Sequence, residues 1–112
     1  PFVNRLEVAV HFLLHAKIKK PRDLSNQEFF GAWQREAAAS RDLAEQGMPI
    51  FKVAGKYEVV LIVEVDSATE LDEAIHGLPI WQEGFQDMVD IEATALRPYA
   101  EWADHLDKLA AS

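Results

Sequence analysis

The chain has 112 residues, no cysteine, and a formal net charge of −8 from 19 acidic and 11 basic residues. This length suits one domain that buries a core unaided, and the lack of cysteine excludes disulfides, thiol nucleophiles and cysteine-ligated metals. The acidic surplus disfavours nucleic-acid binding, and the apolar run 8–16 is too short to span a membrane. We therefore expect a soluble, cytoplasmic protein with neither partner.

The first predicted elements are a strand and a helix. Apolar and polar residues alternate from 11 to 19, the period of a strand with one apolar and one polar face. Pro21 ends this strand. Ser25 and Glu28 then form a capping box that begins a helix, which Gly47 ends. We expect the apolar stripe of this helix to contain Phe29, Phe30, Trp33, Ala37 and Ala44.

A β-hairpin is predicted next, from two β-rich runs at 48–54 and 56–65 that flank Gly55. Every residue from 59 to 63 is apolar, as in a strand covered on both faces. We therefore expect the second hairpin strand to lie in the centre of a sheet.

A second helix is predicted over 68–76, capped by Ser67 and ended by Gly77. Its inward residues are expected to be Leu71, Ala74 and Ile75. Leu78 and Pro79 break the chain before an aromatic loop over 80–86. The aromatic residues of this loop are expected to fill a subunit interface rather than a pocket wall; they are Trp81 and Phe85.

A last strand over 88–96 and a C-terminal helix over 98–112 complete the pattern. The order β-α-β-β-α-β predicts one ferredoxin-like α+β domain of the dimeric α/β-barrel type over 1–112, with an N-terminal extension at 1–10 and an extra C-terminal helix. Both helices cover one sheet face. A second copy of the chain is the simplest cover for the other, so we expect a homo-oligomer.

Four segments carry a family resemblance: FLLHAKIKKPRDL, QREAAASRDLAEQG, VAGKYEVVLIVEVDS, and LPI with VDIEATAL. In these segments the chain resembles the muconolactone Δ-isomerase family, small ferredoxin-like enzymes of the 3-oxoadipate pathway, together with relatives that dehalogenate chloromuconolactones. The Gly-Lys-Tyr and Val-Asp-Ser elements and an acid in the first helix are the specific matches. The chain lacks a Trp-Arg pair that the family has between Gly47 and Phe51, and it has an insertion in the 81–86 loop.

The resemblance implies a cofactor-independent isomerase of aromatic-compound catabolism that acts on an unsaturated lactone acid. Glu36 stands where the family has its helix-one glutamate, so it is the expected catalytic acid/base. One carboxylate can remove a proton and return it to another carbon, which requires no metal or cofactor. The resemblance also implies a homo-oligomer built from dimers. Family relatives form ring-like decamers, so a decamer is one expected assembly.

Glu36 has a plainer interpretation, that of a solvated glutamate at a helix edge. It follows Trp33 by three residues and precedes Ser40 by four, which places it at the border of the apolar stripe. Partial burial there would raise the pKa of its carboxyl.

Further residues are candidates for contact with a small anionic or cyclic ligand. His15 and Lys17 share the polar face of the first strand, which would line a cavity in an oligomer. Lys52 is a candidate replacement for the missing arginine as an anion contact. The remaining candidates are Trp33, Ser40 and Tyr57. The plainer alternatives are lysines that protect an edge strand and aromatic side chains that only pack.

The sequence also bears on metal binding and on other reaction types. No histidine stands at a metal-ligand spacing with a carboxylate, so no metal site is expected. Pro1 permits a tautomerase in which the N-terminal amine is the base, but it precedes the first clear strand by about ten residues. Two further functions stay open: a non-catalytic small-ligand-binding or accessory protein, and a cofactor-free oxygenase or cyclase, which needs a larger cavity.

Overall fold

The structure is a computed structural model that describes residues 9–112. Its elements are β1 (Val10–Ile18), α1 (Asn26–Glu45), β2 (Ile50–Lys52), β3 (Glu58–Val65), α2 (Ala68–His76), α3 (Pro79–Gln82), β4 (Val89–Leu96) and α4 (Tyr99–Ala111). This order confirms the predicted ferredoxin-like α+β fold with a C-terminal helix. An N-terminal extension was expected at 1–10. Residues 1–8, Pro1 among them, lie outside the described part of the chain, and Val10 is the first residue of β1.

The strands form one antiparallel sheet in the order β2-β3-β1-β4. Leu14 of β1 lies opposite Leu61 of β3 and Ala93 of β4. Side chains alternate between the two sheet faces, so this register gathers the apolar alternate residues of three strands on one face. That face is covered by α1 and α2, and the other is called the outer face below.

Two serine caps fix where the long helices begin. The hydroxyl of Ser25 accepts a hydrogen bond from the Glu28 N–H at 3.0 Å, and the Glu28 carboxylate accepts one from the Ser25 N–H at 3.1 Å. This is the predicted capping box. Ser67 accepts from the Glu70 N–H at 3.1 Å and caps α2, also as predicted.

The predicted apolar stripe of α1 is wrong in part. Phe29 and Ala32 are buried, whereas Phe30, Ala37 and Ala44 are exposed. Each of these exposed residues comes one position after a residue of the inward face. One position corresponds to a rotation of about 100° around a helix of 3.6 residues per turn, so these side chains point away from the core. The inward face therefore has a different set of members, spaced three or four apart: Phe29, Ala32, Glu36, Ser40 and Leu43.

The segment predicted as an aromatic loop also differs, since it contains α3 and a single 3-10 turn at Gln86–Met88. Pro79 occupies the first turn of α3, where its missing N–H costs nothing. Ile80 of α3 is buried, and the Gln82 side-chain amide donates to the His76 carbonyl at 2.7 Å. These contacts hold α3 against the end of α2.

The core consists of two clusters at opposite ends of the covered face. Leu14, Val65 and Leu71 form one cluster, and Phe29, Ala32 and Met88 form the other. By contrast, α4 has no buried residue, and Tyr99 is 77% exposed. No helix within residues 9–112 is long and apolar enough to cross a membrane.

Candidate active site

A cavity of about 350 Å³ lies between the covered face of the sheet and the helices. Its floor is apolar and comes from β1, β3 and β4, including Leu14, Ala16, Leu61, Val63, Val89 and Ile91. The helices contribute Glu36, Ser40, Leu43, Leu71, Ile75 and Trp81. An apolar cleft with few polar groups is the usual form of a small-molecule site.

Glu36 is the partly buried carboxylate of this cavity. One of its oxygens, Oε1, accepts a hydrogen bond from the Ile80 backbone N–H at 3.1 Å. Burial raises the pKa of the Glu36 carboxyl, the Ile80 hydrogen bond partly opposes this, and the nearby negative charge of Glu83 adds to the rise. A carboxylate with a raised pKa is a stronger base, as proton abstraction from carbon requires.

An ion pair lies next to this site. The Arg35 guanidinium and the Glu83 carboxylate are 2.6 Å apart, which joins α1 to the residue after α3. Both side chains are partly exposed, so the pair contributes little to stability by itself. It lies at the same junction of α1 and α3 where the Ile80 N–H meets Glu36.

Ser40 is the predicted contact residue that the structure brings together with Glu36. It lies one turn further along α1 and lines the same cavity. The spacing of four residues on one helix face, already visible in the sequence, explains this placement.

His15 and Lys17 lie on the outer face of the sheet, away from the Glu36 cavity. His15 Nε2 is 2.7 Å from the Glu58 carboxylate, which holds the pKa of Glu58 below its usual value. The prediction that the polar face of β1 lines a cavity in an oligomer stays a prediction, and within one subunit these two residues do not line the cavity that contains Glu36. The cavity forms on the apolar side of β1, because that is the side the helices cover.

Trp33 and Tyr57 contact each other but do not line the cavity. Their ring centroids are 5.4 Å apart, and Tyr57 also meets Phe29 and Phe30, each at 6.0 Å. They form an aromatic cluster between the start of α1 and the hairpin. Lys52 is exposed and donates to the Val53 carbonyl at 3.0 Å, so it is also outside the cavity.

The two aromatic residues of the predicted loop have separate places within the chain. Trp81 lines the cavity, and Phe85 packs on the cluster of Phe29, Ala32 and Met88. The structure therefore gives Trp81 the pocket-wall position that the interface was preferred to, whereas the expected subunit interface stays a prediction. These two positions were not predictable from the sequence, since they depend on α3, which the sequence pattern did not indicate.

Sequence reasoning missed the Ile80 N–H and the Arg35–Glu83 pair. A backbone donor has no residue signature, and the ion pair joins positions 48 apart in the chain. Within residues 9–112, no group of three or more histidine or acidic residues is placed to hold a metal ion.

The fold and the site define a class: small ferredoxin-like α+β proteins whose helix-covered cavity presents one partly buried carboxylate. A family model described as muconolactone delta-isomerase matches residues 10–101, from the start of β1 into the first turn of α4. The chain belongs to the muconolactone delta-isomerase family of enzymes. A search of curated proteins found no match.

Proposed function

We propose that the protein is a cofactor-independent isomerase that moves a proton between two carbons of an unsaturated lactone of the muconolactone type. The observation that carries the proposal is the position of Glu36, a carboxylate of raised pKa on the wall of an apolar cavity. Membership of the muconolactone delta-isomerase family supports this reaction class, and we propose a setting in aromatic-compound catabolism.

The proposed reaction has two proton transfers. Ionised Glu36 removes a proton from a ring carbon, so that a C–H bond breaks, an O–H bond forms, and the electron pair delocalises into the lactone carbonyl as a dienolate. The same carboxyl then returns the proton to the other end of the conjugated system and becomes ionised again. Every atom and electron is conserved, so no further reactant is needed.

The neighbours of Glu36 have distinct proposed roles. The Ile80 N–H holds one carboxylate oxygen at 3.1 Å and thereby fixes the orientation of the base. Ser40, on the same face of α1, is the proposed hydrogen-bond donor to a lactone oxygen. The proposal assigns no substrate contact to the other predicted residues, because they lie outside this cavity: His15, Lys17, Trp33, Lys52 and Tyr57.

The cavity volume favours the isomerase over the oxygenase or cyclase alternative. About 350 Å³ is near the lower end of the range of about 300–1,000 Å³ for small-molecule sites. A single lactone ring with a short side chain suits this volume, whereas a polycyclic aromatic substrate needs considerably more space.

We also propose a homo-oligomer in which the outer face meets a second copy. Phe51 is 66% exposed and Ile62 is 36% exposed on this face, and Tyr99, Leu106 and Leu109 of α4 are also exposed. Burial of such residues favours association.

Proton NMR in D₂O tests the proposed activity with two substrates, muconolactone and its methyl ester. We expect ring isomerisation and deuterium uptake at the carbon that loses its proton. Glu36→Gln should slow both by about 10²-fold or more. Glu45→Gln, at the exposed end of the same helix, is the matched control.

Two results would contradict the proposal. Unchanged turnover in Glu36→Gln would remove Glu36 from the mechanism. Absence of exchange with both lactones at high enzyme concentration would favour the non-catalytic binding protein.

A further inference from the structure

The cavity around Glu36 contains no positive charge from the described residues that line it. Its charged lining residues are acidic. Of these, the Glu64 carboxylate lies on the outer face, 3.6 Å from His11 Nε2, so the charges that face the cavity are those of Glu36 and Glu70. No lysine, arginine or histidine of residues 9–112 is among them. A ligand carboxylate inside this cavity would therefore meet apolar walls and like charge.

Three nitrogen-bearing side chains that could contact an anion have partners elsewhere. Arg35 pairs with Glu83, His15 contacts Glu58 on the outer face, and the Lys52 ammonium bonds to a main-chain carbonyl. None of these three side chains lines the cavity.

The connection between α1 and β2 strengthens this observation. This connection places Met48 and Ile50 on the cavity wall. Both side chains are apolar, so the segment offers a surface for hydrocarbon and no fork for a carboxylate.

We infer that the substrate of Glu36 is an electrically neutral unsaturated lactone, substituted with an alkyl or ester group rather than an ionised carboxylate. The inference rests on the proposed function, because it describes the substrate of the same base. An ionised acid would lose its hydration in the cavity without gaining a partner. It would also be repelled by Glu36, which must itself be ionised to remove the proton.

A neutral ester or alkyl lactone avoids both costs. Its ring oxygens need only one or two hydrogen-bond donors, and the Ser40 hydroxyl lies on the wall beside Glu36. Its side chain can lie against the apolar floor formed by residues such as Leu61, Val63 and Ile91.

The inference is tested by equilibrium binding, separately from turnover. The probes are the saturated counterpart of muconolactone, a lactone-acetic acid, and its methyl ester; neither has the ring double bond, so neither can isomerise. Titrations of the wild-type protein at pH 8 are followed by calorimetry and by the amide signal of Ile80, whose N–H bonds to Glu36. We expect the ester to bind at least about tenfold more tightly than the acid, a difference of 1.4 kcal/mol.

A charge-introducing variant gives a second readout. Ala74→Arg places a cation at an exposed position on the cavity wall, and it should raise the affinity for the acid with little effect on the ester. Ala68→Arg, also exposed on α2 but outside the cavity lining, adds the same charge and is the control.

The outcomes separate the two proposals. Equal affinities, tighter binding of the acid, or no binding of the ester by the wild-type protein would overturn the inference. Tight ester binding without isomerisation of either unsaturated lactone would uphold the neutral ligand and reject the isomerase. Isomerisation together with a preference for the acid would support the isomerase and overturn the inference of a neutral substrate.

Discussion

The carboxylate of Glu36 on α1 accepts a hydrogen bond at 3.1 Å from the backbone N–H of Ile80, which lies 44 residues further along the chain. The donor belongs to the main chain, so an ordinary side-chain substitution at Ile80 leaves it in place. The charges around Glu36 can be changed without touching this bond. They therefore allow the strength of the base to be varied independently of its position.

Removing the charge of Glu83 should make Glu36 a weaker base. Glu83→Gln deletes a carboxylate that raises the pKa of Glu36, and it frees the Arg35 guanidinium from its partner at 2.6 Å. Both changes favour ionised Glu36, so the acid limb of the kcat/KM profile should move to lower pH. Glu73→Gln, an exposed position on α2, is the control. A limb that stays in place or moves to higher pH would refute the assignment of this limb to Glu36.

Replacing Glu36 should stabilise the fold at neutral pH. Its carboxyl has a pKa raised above the ordinary 4.5. Between the pKa of the unfolded chain and the raised pKa of the folded protein, the folded state therefore holds more protons than the unfolded state. Stability therefore falls as the pH rises through that window. Glu36→Gln keeps an oxygen acceptor for Ile80 but carries no charge. We expect a gain at pH 7 of less than about 1 kcal/mol, because the carboxyl is only partly buried.

Thermal unfolding at pH 4 and pH 7 measures this gain. The difference between Glu36→Gln and wild type should shrink at pH 4, where the carboxyl is protonated in the folded protein. Glu45→Gln should show no comparable gain. A Glu36→Gln protein less stable than wild type at pH 7 would mean that the carboxylate is stabilising.

Removal of the α1 cap should destabilise the protein without affecting the cavity walls. Ser25→Ala loses the hydroxyl that accepts from the Glu28 N–H, at a cost of about 0.5–2 kcal/mol. Asn26→Ala, the neighbouring exposed residue, should stay within about 0.5 kcal/mol of wild type. Urea unfolding checks both, and equal stability of the two variants would show that the capping box contributes nothing measurable.

A charge in the middle of the outer face should break the proposed oligomer. Ile62 is 36% exposed and lies opposite Leu13 of β1 in the sheet register. Ile62→Lys should keep the fold of the subunit but sediment as a monomer, because it buries an unpaired ammonium at the interface. Asp72→Lys, exposed on α2, should assemble like wild type. A monomeric wild-type protein would rule the assembly out.

Local patterns predicted most of the fold, because the signals lie within a few residues. Alternation identified β1, and the pairing of Ser25 with Glu28 identified the start of α1. Alternation also grouped His15 with Lys17 correctly, but it did not tell which sheet face would form the cavity. That choice depends on where the helices pack, and they cover the apolar side of β1.

The candidate site was predictable where it depends on helix spacing and unpredictable where it depends on distant contacts. The separation of four residues between Glu36 and Ser40 places both on one wall. The contact with Ile80 joins α1 to a short helix that the sequence did not indicate. The place of Trp81 on the wall depends on the same helix.

Three properties of the site come from four consecutive residues, 80–83: a hydrogen bond to the base from Ile80, a section of wall from Trp81, and a charge from Glu83. The sheet and α1 contribute the rest. Substitutions at the partly exposed Trp81 and Glu83 should therefore change the shape of the cavity and the strength of the base, while the buried Ile80 keeps the stretch in place.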